Sequence, residues 1–354
     1  MTESKKILYV GAISPGQTCY ERMKALQALG HEVEGINTSG RLNLLQRVMA
    51  KLAHIAGFSP DLPGVCKAMK EQVQSKQFDL IWVDKGTVVQ ANTLRWIKQQ
   101  QPGCLLVHLN PDDPFGRFRK GWNVFIKSIP YYDIHFVART QNVEEFRVSG
   151  AKNIYAYDRS FSATLHRPVE LSEADTAQYK TPVGFVGTYA PERAAMIAHL
   201  IRNGVPVAVY GDGWTQGKYW DIIRPHYRGA AQYGEGYVKI INGMDIALHF
   251  LRHENRDEQD SRTFEIPACG TFMIAERSRK HEAFFRENEE AVFFDTAEEL
   301  LEKVRRYLVH PEETKRIAAA GRRRCIESGY DHNSRMKELF ERVELIGQIV
   351  KEQV

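Results

Sequence analysis

Residues 181–193 read TPVGFVGTYAPER, a sequence typical of a strand that passes through a glycine turn into a helix. A short apolar run of strand type ends at a glycine, a threonine follows, and a helix is expected from about Pro191, since proline is favoured in the first helical turn. The chain opens in the same manner, because KILYVGAISPG at residues 6–16 also leads from an apolar run through glycines into a helical pattern. These two openings predict two successive domains that each begin with a strand and a helix.

The same alternation continues through both halves of the chain. Apolar runs of strand length alternate with helical patterns, which is typical of the α/β class, with parallel sheets covered by helices on both faces. We expect twelve strands, at residues 6–10, 31–36, 78–83, 104–109, 133–137, 153–155, 183–186, 205–210, 226–228, 245–250, 271–275 and 291–294. The expected helices include residues 21–29, 93–100, 298–308, 312–327 and 333–351.

A polar stretch at residues 167–181, which contains LSEADTAQYK, interrupts this alternation. We expect it to be a linker between an N-terminal Rossmann-like domain at residues 1–166 and a C-terminal Rossmann-like domain at residues 182–330. The final segment, residues 331–354, carries apolar residues at helical spacing from Met336 onward, which predicts a helix that packs on a core.

The composition limits the functional classes. With 354 residues, of which 43% are hydrophobic and 26% charged, the chain is an ordinary folded protein that is long enough for two cores. The net charge of +4 is small and its basic residues are dispersed, which disfavours a nucleic-acid partner. The five cysteines are scattered without metal-ligand spacing, which indicates a reducing compartment.

The sequence has neither a membrane-spanning pattern nor a metal-binding motif. It shows no signal peptide and no apolar run near the roughly 20 residues that span a bilayer, so we expect a cytoplasmic protein with at most peripheral membrane contact. His249 and His253 lack a third partner at metal-ligand spacing, so no metal site is expected. No cofactor is expected either.

The segment with the most chemistry is residues 257–270, DEQDSRTFEIPACG. Its FEIPACG stretch, with an acidic residue eight positions before its glutamate, resembles the donor-binding segment of GT-B glycosyltransferases. More closely, RTFEIPACGTFMIAER at residues 262–277 and EAVFFDTAEEL at residues 290–300 resemble the CgeB-type glycosyltransferases. The resemblance covers most of residues 182–335, and over residues 1–165 it rests on architecture.

The resemblance implies a GT-B fold, with two Rossmann-like domains facing across a cleft and a C-terminal helix that crosses back onto the first. It also implies that Asp257, at the first acidic position of the motif, touches the transferred sugar. Because the family usually has the longer glutamate there, a solvated loop aspartate is an equal alternative. A nucleotide diphosphate sugar would be the donor, and the acceptor could be a glycan, a protein or a small molecule.

The residue types in this segment suit a nucleotide independently of the resemblance. The carboxylate of Glu265 can accept two hydrogen bonds from a ribose diol. Arg262 and Thr263, at the start of the same helix, suit phosphate oxygens. The alternative is that Glu265 is an ion-pair partner of Arg262, three residues before it.

Further donor-binding candidates follow strands. Gly187, Thr188 and Arg193 can hold a diphosphate at a helix start, where backbone amides and the helix dipole favour anions, or can be a simple helix cap. The remaining candidates are weaker, since a tight turn or an aromatic packed under a loop explains them equally well; they are Gly11, Gly211, Trp214, Tyr227 and Arg228.

The N-terminal half has one candidate catalytic group, in HLNPDDPF at residues 108–115. It directly follows a buried-type strand, and α/β proteins place chemistry at such strand ends. Asp113, Asp112 or His108 could deprotonate an acceptor hydroxyl. A divalent metal on the two carboxylates is a weaker alternative, and Asn-Pro and Asp-Pro dipeptides also start ordinary turns.

The sequence therefore predicts a glycosyltransferase of the hexosyltransferase type that does not need a metal. Two alternatives stay open. The same fold hosts nucleotide-sugar epimerases, and a noncatalytic nucleotide-binding or assembly protein could retain the fold and a vestigial pocket.

Overall fold

The computed structural model describes residues 3–39, 60–116 and 119–352, together with a few single positions between 46 and 53. The chain forms two compact units. Unit 1 consists of Met1–Asp158, Glu254–Arg256 and His332–Val354, and unit 2 consists of Arg159–His253 and Asp257–Asp331. The structure therefore divides the chain at residue 158, before the polar stretch in which the sequence predicts a linker.

Unit 1 is built on a six-stranded sheet with the order β2-β1-β3-β4-β5-β6. All neighbouring strands are parallel. The strands are β1 Lys6–Gly11, β2 Glu32–Asn37, β3 Leu80–Asp84, β4 Leu105–Asn110, β5 Ile134–Val137 and β6 Asn153–Ala156. The central strands β1, β3 and β4 are almost fully buried, which explains their near-continuous apolar sequences.

Helices cover both faces of this sheet. They are α1 Thr18–Ala28, α2 Val65–Ser75, α3 Ala91–Gln100, α4 Asn123–Ile126 and α5 Thr140–Val148. The last helix of the chain, His332–Glu352, also belongs to unit 1 and packs against α1. Its apolar stripe from Met336 to Ile346 is buried in the unit 1 core, whereas the side chain of Val350 lies outside the described residues.

Unit 2 repeats the architecture with a second parallel sheet, in the order β12-β11-β10-β7-β8-β9. Its strands are β7 Thr181–Val186, β8 Val207–Tyr210, β9 Tyr227–Gly229, β10 Met244–His249, β11 Phe272–Glu276 and β12 Val292–Phe294. Each of the twelve strands lies within two residues of its predicted bounds. The prediction of two parallel-sheet α/β halves is confirmed.

The helices of unit 2, with the final helix of the chain, complete the fold. They are α6 Glu173–Tyr179, α7 Pro191–Arg202, α8 Trp220–Ile223, α9 Glu235–Asn242, α10 Arg262–Ala268, α11 Arg279–Phe284, α12 Ala297–Leu308, α13 Pro311–Glu327 and, in unit 1, α14 His332–Glu352. Helix α6 lies inside the expected linker, where the Ser172 side chain caps it by accepting from the Asp175 amide. No helix in the described ranges is long and apolar enough to cross a membrane.

Candidate functional site

The candidate site of unit 2 is organised by a buried carboxylate, that of Asp260. Its Oδ1 accepts hydrogen bonds from the Arg262 amide at 2.7 Å and, when His249 donates, from His249 Nε2 at 3.0 Å. Its Oδ2 accepts from Nη1 of Arg262 at 2.7 Å. Burial raises the pKa of Asp260, but the charges and hydrogen bonds of Arg262 and His249 outweigh burial and hold it well below its usual value. Asp260 is therefore ionised and fully engaged.

Some of the hydrogen bonds to Asp260 come from backbone amides at the amino end of helix α10. The amides of Arg262 and Thr263 donate to Asp260, and the amides of Phe264 and Glu265 donate to the Ser261 carbonyl. A helix normally presents these first amides to a ligand or a cap. Because the chain itself occupies them, these backbone amides are not available to phosphate oxygens, and only the side chain of Arg262 can serve the phosphate contact predicted for this helix start.

The side chain of Arg262 remains partly accessible. The side chain is 24% exposed, although its Nε is buried, and a Cβ at Gly187 would lie 3.4 Å from its Nη2, so the Gly187 backbone passes directly beside this cation. Burial lowers the pKa of Arg262, but the nearby Asp260 carboxylate outweighs burial and raises it above its ordinary value. The guanidinium is thus a permanent positive charge at the carboxyl end of β7.

The side chain of Glu265 is 14% exposed. Its Oε2 accepts a hydrogen bond of 2.6 Å from the Tyr237 hydroxyl, and its Oε1 lies 3.8 Å from Nε2 of His166. Burial and the Glu265 charge raise the pKa of Tyr237 well above its usual value, so this hydroxyl stays a donor. The alternative in which Glu265 pairs with Arg262 is wrong, because Arg262 pairs with Asp260.

Thr263 is fully buried in the same helix. Its hydroxyl oxygen lies 2.9 Å from Nε2 of His281 and accepts from the Asp260 amide at 3.1 Å. A hydroxyl enclosed in this way cannot contact a phosphate, so the prediction of Thr263 as a ligand is corrected to a structural role. It completes the cap of α10.

Two glycines bring the loops after β7 and β8 together. The Gly187 amide donates to the Tyr210 carbonyl, and the Gly211 amide donates to the Gly229 carbonyl, both at 2.9 Å. Gly211 has a φ of 134°, and a Cβ there would lie 2.0 Å from the Gly187 carbonyl oxygen. Only glycine fits this close approach.

The two aromatic candidates brace these loops. Trp214 is 1% exposed, and its Nε1 donates to the Gly187 carbonyl at 2.9 Å. The Tyr227 hydroxyl donates to the Gly211 carbonyl at 3.0 Å, and its ring packs edge-on against Trp220. Trp214 is therefore unavailable to stack on a base, and the Tyr227 contacts indicate a bracing role as well. Arg228, the neighbour of Tyr227, is exposed.

Arg193 has a structural role too. Its guanidinium is buried and donates to the carbonyls of Thr188 and Phe250, at 3.1 and 2.8 Å. Burial, together with the positive charge of Arg262, lowers the pKa of Arg193 to about 10, so it is still protonated at neutral pH. Direct phosphate contact by this side chain is excluded by its burial. The loop residue it supports, Thr188, is exposed.

Arg252 is a cation that the sequence reasoning missed. It follows β10, is half-buried, and its carbonyl accepts from the Asp257 amide at 3.3 Å. Its charge lowers the pKa of Arg193, though less than burial and Arg262 do, so it lies near the same strand ends. Asp257, whose amide makes this hydrogen bond, is half-buried as well.

The candidate bases of unit 1 have different environments. His108 is fully buried, its Nδ1 lies 2.9 Å from Nδ1 of His135, and its Nε2 lies 3.3 Å from the Lys85 carbonyl. Burial and the His135 ring lower the pKa of His108 well below its usual value. A histidine enclosed in this way cannot reach an acceptor, so His108 is removed from the candidate bases.

Asp113 is buried as well. Arg256 binds it through Nε at 2.6 Å and Nη2 at 2.8 Å, and Asn142 and the Phe115 amide also donate to it. Burial raises the pKa of Asp113, but these hydrogen bonds outweigh it and lower the pKa below its ordinary value. We correct Asp113 to a structural carboxylate. Asp112 is 32% exposed and pairs with Lys85 at 2.6 Å.

Gly11 ends β1 in a crowded environment. A Cβ at this position would lie 3.1 Å from the Tyr9 ring and 3.2 Å from the Cβ of Asp84. The carboxylate of Asp84 is buried against Tyr9 and Arg22, with hydrogen bonds of 2.6 to 2.9 Å. These contacts make close packing the reason for glycine. Within the described ranges, no cluster of three metal-ligating side chains occurs.

The fold is that of the GT-B glycosyltransferases. The chain is similar to a sucrose-phosphate synthase from Thermosynechococcus elongatus, with a TM-score of 0.67 and 15% identity over 97% of this chain and 99% of that one. It is also similar to Anabaena HepE in complex with UDP and glucose, with a TM-score of 0.63 and 13% identity over 96% and 99% of the two chains.

Comparisons of sequence, in addition to those of structure, also find glycosyltransferase relatives. A family model described as glycosyl transferase-like matches residues 193–341. The spore protein CgeB of Bacillus subtilis (strain 168) is 23% identical over 276 residues, which are 73% of this chain and 81% of that protein. Together these matches support a CgeB-like glycosyltransferase with the GT-B fold, as the sequence predicts.

The close approach of Gly211 to Gly187 gives a stability prediction. Gly211→Ala should destabilise unit 2 by roughly 2 to 4 kcal/mol, because the added Cβ meets a carbonyl oxygen and the backbone is in a region that alanine avoids. Gly204→Ala is the control, since Gly204 also has a positive φ but no atom within 4 Å of an added Cβ; it should cost about 1 kcal/mol. Urea unfolding followed by tryptophan fluorescence compares them, and equal losses would contradict the clash.

Proposed function

We propose that this protein transfers a glycosyl group from a nucleoside diphosphate sugar to an acceptor hydroxyl of a glycan, a protein or a small molecule. The observation that carries the proposal is the pairing of an accessible cation with an accessible carboxylate three residues later in α10. Arg262 suits a diphosphate, and Glu265 suits a ribose diol. HepE, which shares the fold at low identity, has been solved with UDP, and this supports a nucleotide donor.

The diphosphate would lie at the carboxyl ends of β7 and β10. The N-cap of α7 is Ala190, which makes no side-chain cap hydrogen bond, so the first amides of that helix suit an anion. Arg262 supplies a full positive charge beside them, with Arg252 near it. Thr188 adds an exposed hydroxyl, and buried Arg193 fixes the loop that carries it.

These groups also suit a reaction that needs no metal. The leaving diphosphate gains charge in the transition state, and fixed cations and amides can stabilise that charge in the way a divalent ion does in other enzymes. In the acceptor half we propose Asp112 as the base, because its side chain is exposed enough to reach a hydroxyl, while the carboxylate of Asp113 and the imidazole of His108 are enclosed.

Glu265→Ala should weaken nucleoside diphosphate binding at least tenfold, which corresponds to about 1.4 kcal/mol. Glu282→Ala is the control, because it removes the same charge from a 47% exposed position in unit 2. Isothermal calorimetry with UDP, GDP, ADP, CDP and TDP measures the effect. Glu265→Gln, which retains an acceptor for Tyr237, guards against a folding defect. Unchanged affinity in both Glu265 variants would contradict the assignment.

The metal requirement is tested by chelation. Transfer of sugar from the donor that binds should continue at the same initial rate after the protein is treated with excess EDTA, since the charge of the leaving group is met by arginine and backbone amides. A rate that collapses with EDTA and recovers with Mg²⁺ or Mn²⁺ would show that this part of the proposal is wrong.

The proposed role of Asp112 as the base is tested by comparing it with its neighbour Asp113. Asp112→Asn should lower kcat by roughly 10²-fold to 10⁴-fold while leaving nucleotide affinity unchanged, as expected for loss of a general base. Asp113→Asn should instead lower the urea midpoint, because it weakens the buried contact with Arg256. Initial rates and unfolding curves are measured on both variants. Full activity in Asp112→Asn would remove Asp112 as the base.

A further inference from the structure

His166 holds its proton on the nitrogen that faces the candidate site. Its Nδ1 accepts a hydrogen bond of 3.0 Å from the backbone amide of Ser162. A ring nitrogen that accepts from an amide carries no proton, so the proton of the imidazole is on Nε2. The surroundings of His166 therefore fix its tautomer and turn Nε2 into a donor.

That donor faces the Glu265 carboxylate across a gap. Nε2 and Oε1 are 3.8 Å apart, which is too far for a direct hydrogen bond. The other carboxylate oxygen, Oε2, already accepts from Tyr237 at 2.6 Å, and the Tyr237 ring lies edge-on to His166 with centroids 5.9 Å apart. Tyr237 thus braces both groups and leaves Oε1 as the oxygen nearest His166.

A hydroxyl group has the chemistry that this gap requires. It can accept from Nε2 and donate to Oε1 at the same time. Two hydrogen bonds of about 2.8 Å that meet at one oxygen join atoms roughly 4 to 5 Å apart, close to the separation found here. Neither a methylene group nor a second anion could satisfy the donor and the carboxylate together.

We propose that His166 binds a ribose hydroxyl of the nucleotide jointly with Glu265, and that this pair makes the site selective for ribonucleotides over deoxyribonucleotides. The proposal rests on the proposed function, since it takes the ligand to be a nucleoside diphosphate. A deoxy analogue leaves the Nε2 donor and the Oε1 acceptor without their shared partner, and sites built around a hydroxyl reject such analogues strongly.

The first measurement compares UDP with 2′-deoxy-UDP and 3′-deoxy-UDP by calorimetry on the whole chain; if GDP, ADP or CDP binds more tightly, its own deoxy forms are used. The ribonucleotide should bind at least tenfold more tightly than one of its two deoxy forms. Equal affinity for all three overturns the proposal and with it the ribose contact of Glu265, while the binding of a nucleoside diphosphate and the proposed glycosyl transfer stand. If no nucleoside diphosphate binds, the proposed function fails and the proposal fails with it.

Two variants separate ligand binding from a merely structural role. His166→Asn keeps an acceptor near the position of Nδ1 for the Ser162 amide but has no donor at Nε2, whereas His166→Gln keeps a donor near Nε2 and loses that acceptor. Discrimination between UDP and its deoxy form should fall to less than threefold in His166→Asn and persist in His166→Gln. The opposite ranking, with discrimination retained in His166→Asn, would assign His166 to loop structure alone.

Discussion

The site in unit 2 depends on the burial of one negative charge, that of Asp260. A carboxylate out of water is costly unless it is paired and hydrogen-bonded, and here Arg262, its amide and His249 meet that requirement. Because the amide and the side chain of Arg262 bind the same carboxylate, the first turn of α10 has one orientation. The direction of Glu265, one turn further on, follows from it.

The fold could be predicted because its determinants are local. Strands such as β3 and β4 are covered on both faces, so nearly every residue is apolar and the run itself reveals the strand. Helix α6 lies within the expected linker and is difficult to predict because it is short and polar. Its local signal is Ser172 at the N-cap, followed three positions later by an acidic residue. The place where the chain passes from one unit to the other has no such signal, since it depends on long-range contacts.

The candidate site could be predicted only in part, for the same reason. Arg262 and Glu265 are close in sequence and stand out as a pattern, whereas Tyr237 meets Glu265 from 28 residues away. A polar residue after a strand can face solvent or enter the core, and its sequence neighbours do not distinguish these outcomes. The ring nitrogens of His108 can be buried because His135 and the Lys85 carbonyl are close enough to form hydrogen bonds with them. In the same way, Trp214 can be buried because its Nε1 donates to the Gly187 carbonyl.

The corrected residues sort into a consistent division of roles. Arg193, Thr263 and Trp214 hold the loops and the helix in place from inside, while Thr188, Arg262 and Glu265 retain accessible atoms. The charges around Arg193 are consistent with this division of roles. Around Arg193, burial and the positive charges of Arg262 and Arg252 prevail over the opposing charges of Asp260 and Glu192, and its pKa is lowered to about 10. A diphosphate at these strand ends would add negative charge near Arg262 and Arg252, and would counter the part of the Arg193 pKa lowering that comes from their positive charges.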